Sequence, residues 1–373
     1  MSRNLHPITM PKWGLAMKEG SIIKWFKEIG DEIKKGENLV EIETEKVVNE
    51  MESPESGTLL KKCIEEDVKV NVGSLIAIYG DSSVSDEEIE KFISEFNENL
   101  KNEENLESDD LSQSEKIKLD NIEINFVNLS NDKQKNLLFI HGFGGDLNNW
   151  MFNQEELSKD YNTFALDLPG HGLSSKNINE SSLTYFSELI IKFCEEHKLN
   201  NINLVGHSFG AGIAINCAFE NMNYVESLNL ISPIGLGDEI DSSYLENFIT
   251  ADSRKELKHE LEKLYFNSEI LTRDLINEVL KYKRIDGVSN SLNLIKDEIL
   301  ASGKQKINLK EKINKISIPV TVIWGKEDSI IPFDHSKNLN EKINIKIIDQ
   351  CGHMGHTEHP NEVNEIIKDT ISK

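Results

Sequence analysis

The 373 residues carry 41 basic and 65 acidic side chains, a net charge of −24. An excess of that size excludes nucleic-acid binding as the main role and disfavours an anionic membrane surface. The 38% hydrophobic content suffices for packed cores, and the length allows two or three domains. No apolar run reaches the roughly eighteen residues of a membrane span, and the opening MSRNLHPITMPKWG lacks the apolar segment of a secretion signal. Cys63, Cys194, Cys217 and Cys351 are scattered, without CxxC or His/Cys ligand spacing. Reduced thiols in a cytoplasmic protein, with no metal site, are the expectation.

Residues 1–80 contain an internal repeat. GSIIKWFKEIGDEIKKGENLVEI starts at Gly20, and GTLLKKCIEEDVKVNVGSLIAIY starts at Gly57. A displacement of 37 pairs Gly20 with Gly57, Ile22 with Leu59, Ile33 with Val70, Gly36 with Gly73 and Leu39 with Ile76. Short alternating apolar segments between glycines and charged turns are strand signals. Two such halves predict an all-β barrel-sandwich with internal pseudo-symmetry. EIETEKVVNEMES (41–53) joins the halves, and Glu45-Lys46 falls where the chain must reverse. A solvated turn on a rigid frame is where a modifiable side chain has to stand. The segment resembles a lipoyl domain, with Glu45-Lys46-Val47 at the attachment position. That resemblance implies lipoate bound covalently to Lys46. Biotin carriers usually flank their lysine with methionines, and none flanks Lys46. Asp67 stands where a glycine is common; Asp tolerates the left-handed region better than most residues.

Residues 81–120 hold fourteen acidic and four basic side chains and read as an acidic linker. Within it, Ser85 and Glu88 form a potential capping box. Ile89, Phe92, Ile93, Phe96 and Leu100 recur at helical spacing, which predicts a short amphipathic helix near 85–100. It would pack on a neighbouring domain of this chain or dock a partner subunit. Residues 102–118 read as solvated coil, with a mean span of roughly 20–25 Å. Lys46 would thus reach a site on the C-terminal domain.

From 121 to 373, strand-like runs end at Gly, Pro or Asp: NLLFIHG, NTFALDLPG, NINLVGH, SLNLISP, VTVIWG and NIKIID. Helical patterns such as 182–197 and 209–220 lie between them. The alternation predicts a mostly parallel sheet with helices on both faces, and a site at the carboxyl ends of its strands. GHSFG (206–210) is a Gly-x-Ser-x-Gly elbow between a strand and a helix, which makes Ser208 the candidate nucleophile. The Phe209 amide, at the helix N-terminus, faces a developing oxyanion. A serine nucleophile needs a base and an orienting acid, and in this topology they follow in the order acid, then His. Asp328, after VTVIWG, and His353, after NIKIIDQC, take those places. Ser232, at the other position sometimes used for the acid, cannot serve. His356 and His359 are expected to face away from Ser208. His141, Asp167 and His171 read as loop-organising residues.

This region resembles the α/β-hydrolase fold. The resemblance implies that the amide of Phe143, in HGFGG (141–145), is a second oxyanion donor. It also implies a helical cap near 233–317, with YLENFI, LEKLYF and LINEVLKY over the pocket. A lipoyl domain joined to such a domain is similar to the dihydrolipoyllysine-residue acetyltransferase components of acetoin-cleaving dehydrogenase complexes. No HxxxDG signature of ordinary lipoyl acyltransferases is present. The similarity implies transfer of acetyl from lipoyl-Lys46 to coenzyme A, with acyl-Ser208 as a candidate intermediate. It further implies thiamine-diphosphate-dependent acetoin dehydrogenase subunits and dihydrolipoamide dehydrogenase as partners around a homo-oligomeric core. Two readings stay open beside it: a serine hydrolase or thioesterase, and a lipoyl carrier with a vestigial hydrolase fold.

Overall fold

The structure is a computed structural model describing residues 5–11, 19–43, 48–53, 56–81, 84–94, 96–97, 114–221 and 223–373. The chain divides into two compact units, Met1–Leu111 and Ser112–Lys373. Among the described residues no helix is long and apolar enough to cross a membrane.

The first unit follows directly from the repeat. Its strands are β1 (Leu5–Thr9), β2 (Glu19–Trp25), β3 (Glu32–Ile33), β4 (Asn38–Glu43), β5 (Val48–Glu52), β6 (Gly57–Lys62), β7 (Lys69–Asn71) and β8 (Leu75–Gly80). They make two four-stranded antiparallel sheets, ordered β1-β8-β6-β3 and β5-β4-β2-β7. The displacement of 37 carries β2, β3 and β4 onto β6, β7 and β8, so one sheet maps onto the other strand by strand. Alternate apolar residues of both sheets, Ile22, Leu39, Ile42, Leu59, Ile76 and Ala77 among them, fill one core. Gly30 (φ 98) and Asp67 (φ 63) occupy equivalent turns, both left-handed. The carboxamide-like reach of a short Asp side chain makes that backbone tolerable where the first half uses Gly.

The strands β4 and β5 pair antiparallel up to Glu43↔Val48. Lys46 belongs to the connection at the end of this hairpin and lies outside the described residues. The acidic segment contributes helix α1, described over 86–94 and 96–97. Its capping box forms: Ser85 N donates to Glu88 Oε2 at 3.0 Å, and Glu88 N to Ser85 Oγ at 3.4 Å. Ile89, Phe92, Ile93 and Phe96 pack against Leu5, Leu60, Leu75 and Ile78. The helix therefore covers the outer face of the β1-containing sheet; Leu100 lies outside the described residues.

The second unit begins earlier than the strand pattern suggests. Strand β9 (Glu115–Leu119) pairs with β10 (Ile122–Leu129), so the coil read to residue 118 ends before Glu115. EKIKL is too polar to announce itself, because an edge strand buries little: only Leu119 is inside. Then come β11 (Asn136–Ile140), β12 (Asn162–Leu166), β13 (Ile202–His207), β14 (Val225–Ile231), β17 (Val320–Gly325) and β18 (Asn344–Ile348). The order is β18-β17-β14-β13-β11-β12-β10-β9. All neighbours from β18 to β12 run parallel, and β10 and β9 close one edge antiparallel. Helix α2 (Met151–Leu157) lies between β11 and β12, and helices α3 (Leu183–Glu196) and α4 (Phe209–Glu220) connect central strands. Ten successive α4 residues, Phe209–Ala218, are buried, as befits a helix with apolar neighbours all round. Between β14 and β17 lie α5 (Ser242–Thr250), α6 (Arg254–Glu262), α7 (Arg273–Lys283), α8 (Val288–Ile299), a hairpin of the two-residue strands β15 (Leu300–Ala301) and β16 (Lys304–Gln305), and α9 (Lys310–Lys315).

The left-handed turn at Gly30 gives a backbone test, since nothing stands within 4 Å of an added Cβ. Gly30→Ala should therefore destabilise the first unit by about 1–2 kcal/mol through conformation alone. Hydrogen exchange of its amides in the full-length chain measures this, and an unchanged opening free energy would contradict it.

Candidate active site

Everything at the site is organised around the step from β13 into α4. Ser208 has φ 52 and ψ −112, a conformation L-residues avoid. It persists because its backbone is held from several sides. Ser208 N donates to Ile231 O at 2.9 Å, and Ser208 O accepts from Ala211 N, Gly212 N and Ile234 N. Both elbow glycines are obligatory. A Cβ on Gly206 would lie 2.6 Å from Ala211 Cα, and one on Gly210 would lie 2.2 Å from Ile140 O. These obstacles are backbone atoms, so no side-chain adjustment relieves them.

The expected acid and base meet. His353 Nδ1 and Asp328 Oδ2 are 2.8 Å apart, and both side chains are buried. Asp328 also accepts from Ile330 N at 2.9 Å, Ile331 N at 3.0 Å and Trp324 Nε1 at 3.1 Å. Four donors fix the carboxylate in place, so the Nδ1 proton of His353 faces it and Nε2 is the ring nitrogen left to act as acceptor. His353 and Ser208 line the same cavity. Sequence reasoning did not find Trp324 as a donor or His207 as a brace. His207 Nε2 lies 3.0 Å from His353 O, and His353 N donates to Leu264 O at 2.8 Å.

The HGFGG loop lies on the other side of Ser208. The Gly144 amide donates to His171 Nε2 at 3.1 Å, and the Gly145 amide to Gly142 O at 3.2 Å. Phe143 of this loop lines the cavity with Ser208, and Phe209, the first residue of α4, has no intrahelical acceptor for its amide. His141 Nε2 accepts from Leu168 N at 3.0 Å, so its Nδ1 carries the proton and donates to Gly142 O at 2.8 Å. Asp167 accepts from Leu147 N, Asn125 Nδ2 and Leu173 N. His141, Asp167 and His171 thus shape the loop. None of the three lines the cavity, and neither do His356 and His359. His356 is buried against Trp150 and His207, with ring centroids 4.3 and 4.7 Å away. His359 Nε2 turns to Gln350 O.

The cavity encloses about 740 Å³ including its mouth. Its walls are largely apolar and come from the cap: Tyr244 and Phe248 of YLENFI, Leu261, Leu264 and Tyr265 of LEKLYF, and Leu275 and Val279 of LINEVLKY. Glu358 ties cap to base loop, a contact the sequence did not reveal. One oxygen accepts from Phe266 N and Asn267 N, and the other from Gly352 N.

Fold and site together define an α/β-hydrolase-fold enzyme unit that travels in one chain with a biotinyl/lipoyl-type unit. Residues 135–360 match the α/β hydrolase fold family, and residues 6–78 the biotin-requiring enzyme family. The chain is 33% identical to the dihydrolipoyllysine-residue acetyltransferase component of the acetoin cleaving system of Cupriavidus necator, over 99% of this chain and 98% of that protein. To the protein of the same description from Pseudomonas putida it is 32% identical, over 97% of each. The chain belongs to this family of acetyltransferase components. Among solved structures, a meta-cleavage product hydrolase (CumD) superposes with a TM-score of 0.63 at 19% identity, covering 69% of this chain and 98% of that one. It shares the fold of the second unit.

Two outcomes follow from the buried polar groups. Asp167→Asn would turn an amide NH₂ toward a donor in either orientation. It should cost about 2–4 kcal/mol in stability and lower turnover without abolishing it. Urea denaturation and steady-state kinetics check both, and complete inactivity of a folded variant would make Asp167 more than a loop organiser. Burial pushes the imidazoles of His141, His171, His207 and His356 down, the last to about 3. A histidine depressed in the folded state contributes full stability above its unfolded value of 6.5 and loses it as pH falls toward the folded value. Burial, with Asp167 nearby, pushes Asp146 up to about 6 and offsets part of that loss. His356→Phe should therefore flatten the loss of stability below pH 6.5 by up to about 1.4 kcal/mol per pH unit. Denaturation midpoints from pH 7.5 to 5 measure the slope, and an unaltered slope would contradict it.

Proposed function

We infer that this protein is an acetyltransferase that moves an acetyl group from a lipoyl arm on Lys46 to coenzyme A through a covalent ester on Ser208. The observation that carries the reading is the Asp328–His353 pair opening with Ser208 into one apolar cavity, in a chain that also holds a lipoyl-type unit. The pairing of β4 with β5 up to Glu43↔Val48 supports Lys46, which falls between them in the sequence, as the attachment point. When bound there, the dihydrolipoyl group supplies a thiol that presents the acetyl group as an activated thioester.

The residues perform the rest. Ser208 Oγ gives its proton to His353 Nε2 and bonds to the thioester carbonyl carbon. The amides of Phe143 and Phe209 hold the oxyanion. Asp328 stabilises the imidazolium and keeps its tautomer. As the carbon–sulfur bond breaks, His353 returns the proton to the leaving sulfur, and the acetyl group remains on Ser208. The coenzyme A thiol then gives its proton to His353 and attacks the ester. Cleavage of the ester bond returns the proton to Ser208 Oγ and releases acetyl-CoA. The apolar walls favour a thiol over water at this step, because a water molecule there would lack partners for its hydrogen bonds.

In this reading the protein works in the cytoplasm, where coenzyme A and reduced thiols coexist, within a multienzyme assembly. Thiamine-diphosphate-dependent subunits would load the arm, dihydrolipoamide dehydrogenase would reoxidise it, and copies of this chain would form the core. The names of the relatives, components of an acetoin cleaving system, support such an assembly.

Ser208→Ala should lower acetyl-CoA formation by about 10³-fold or more, and label from acetyl-dihydrolipoyl donor should be trapped on Ser208 of the parent when coenzyme A is withheld. Full transferase activity in the variant would end the covalent route. Release of acetate in place of acetyl-CoA by the parent would assign a thioesterase instead.

A further inference from the structure

One surface stands out against the acidity of the chain. Lys283 and Arg284 end α7, and Arg254 and Lys255 begin α6 beside them. The two ends are joined: Lys283 Nζ donates to Ala251 O, and an Arg284 guanidinium nitrogen to Asp252 O at 3.1 Å. Ala251 and Asp252 lead directly into Arg254. Among the described residues none of these four cations is paired with a carboxylate, whereas Lys258, Lys263 and Lys281 nearby all are. The carboxylates that act on Lys283 are Asp252 and Glu256, and neither forms an ion pair with it.

The cluster sits at the edge of the acyl cavity. Leu275 and Val279 of α7 line it, and Lys283 continues the same i, i+4, i+8 stripe. The Lys283 ammonium lies 5.3 Å from the centroid of Phe248. Phe248 also lines the cavity, and its ring packs at 5.9 Å on that of Phe143, in the oxyanion loop. From the cavity wall outward, then, the order is Phe143, Phe248, Lys283, with Arg284 exposed beyond.

We propose that Lys283 and Arg284, with Arg254 and Lys255, anchor the phosphate groups of coenzyme A at the mouth of the cavity while its thiol reaches Ser208. This rests on the reading of coenzyme A as the acyl acceptor. Coenzyme A carries its charge at the end of a long neutral arm, so its anchor belongs at the rim and not at the reacting carbon. Arg offers a planar fork for phosphate oxygens and Lys a point charge. The Phe248 ring facing the Lys283 ammonium, with the Ala251 carbonyl that accepts from it, keeps that ammonium in place. Partial burial pushes that ammonium down to about 8, so an arriving anion stabilises its charged form. The absence of a glycine-rich phosphate loop is accounted for, because side chains of the cap do the work.

The test uses the full-length lipoylated protein with acetyl-dihydrolipoyl donor. Lys283→Met with Arg284→Gln keeps the stems and removes the charges. KM for coenzyme A should rise about tenfold or more, while KM for the donor and KM for pantetheine, which lacks the phosphates, stay at the parent values. Titration of coenzyme A into the protein without donor should show the same loss of affinity. If the double variant is unstable, the exposed Arg284→Gln alone should raise KM for coenzyme A measurably. An unchanged coenzyme A affinity, an equal rise for pantetheine, or a rise in donor KM instead overturns the anchor. Failure of the parent to form acetyl-CoA would overturn the acceptor reading, and the binding titration would still decide whether the cluster holds the nucleotide.

Discussion

The second unit is built around a backbone that would not adopt its conformation alone. Ser208 sits at an unfavourable φ and ψ because β13 must stop and α4 must start within one residue. The neighbouring strand supplies Ile231 O, the helix supplies two amides, and Ile234 supplies a third. A strained residue costs of order 1–3 kcal/mol, which this set of hydrogen bonds offsets. The strain places Ser208 at the carboxyl end of the central strand β13, directly before the first residue of α4. Without Gly206 and Gly210, the helix could not lie so close to the sheet.

That arrangement in turn requires the base to come from a distant strand. His353 is held three ways: by Asp328 through its ring, by Leu264 through its amide and by His207 through its carbonyl. One of these partners belongs to another layer of the unit. Leu264 is in the cap, and Glu358 fixes the adjoining cap backbone to Gly352. The cap is thus both the wall of the cavity and a support for the imidazole. Cap packing and base position are one structural feature, and the cationic cluster on α6 and α7 stands on the same scaffold.

Much of this was legible beforehand, for identifiable reasons. The 37-residue repeat encoded the pseudo-twofold sandwich, because equivalent apolar positions must face one core. Asp67, standing where a glycine is common, has the left-handed φ that Asp tolerates. Five strands of the second unit were readable because a strand buried on both faces is a continuous apolar run, and the edge strand β18 was readable from its isoleucines although it is largely exposed. Its antiparallel edge was not, since EKIKL keeps polar residues toward solvent. Ser208, Asp328 and His353 could be named from spacing after strands. The donors around them could not. Trp324 reads as a core residue, and Glu358 as one more acid in an acidic chain.

The sequence by itself determined which chemistry-bearing residue types were present, and where they fell relative to strand ends. It also determined that the chain comprised a symmetric β unit and an alternating α/β unit. Those features depend on local periodicity and on glycines that only a sharp turn requires. The tertiary structure alone decided which amides of the HGFGG loop were already engaged and which residues braced the imidazole. It also decided which cations were left without carboxylates beside the cavity. Most of these depend on contacts between segments separated along the chain, from 25 residues for Asp328 and His353 to 146 for His207 and His353, and no local pattern records them.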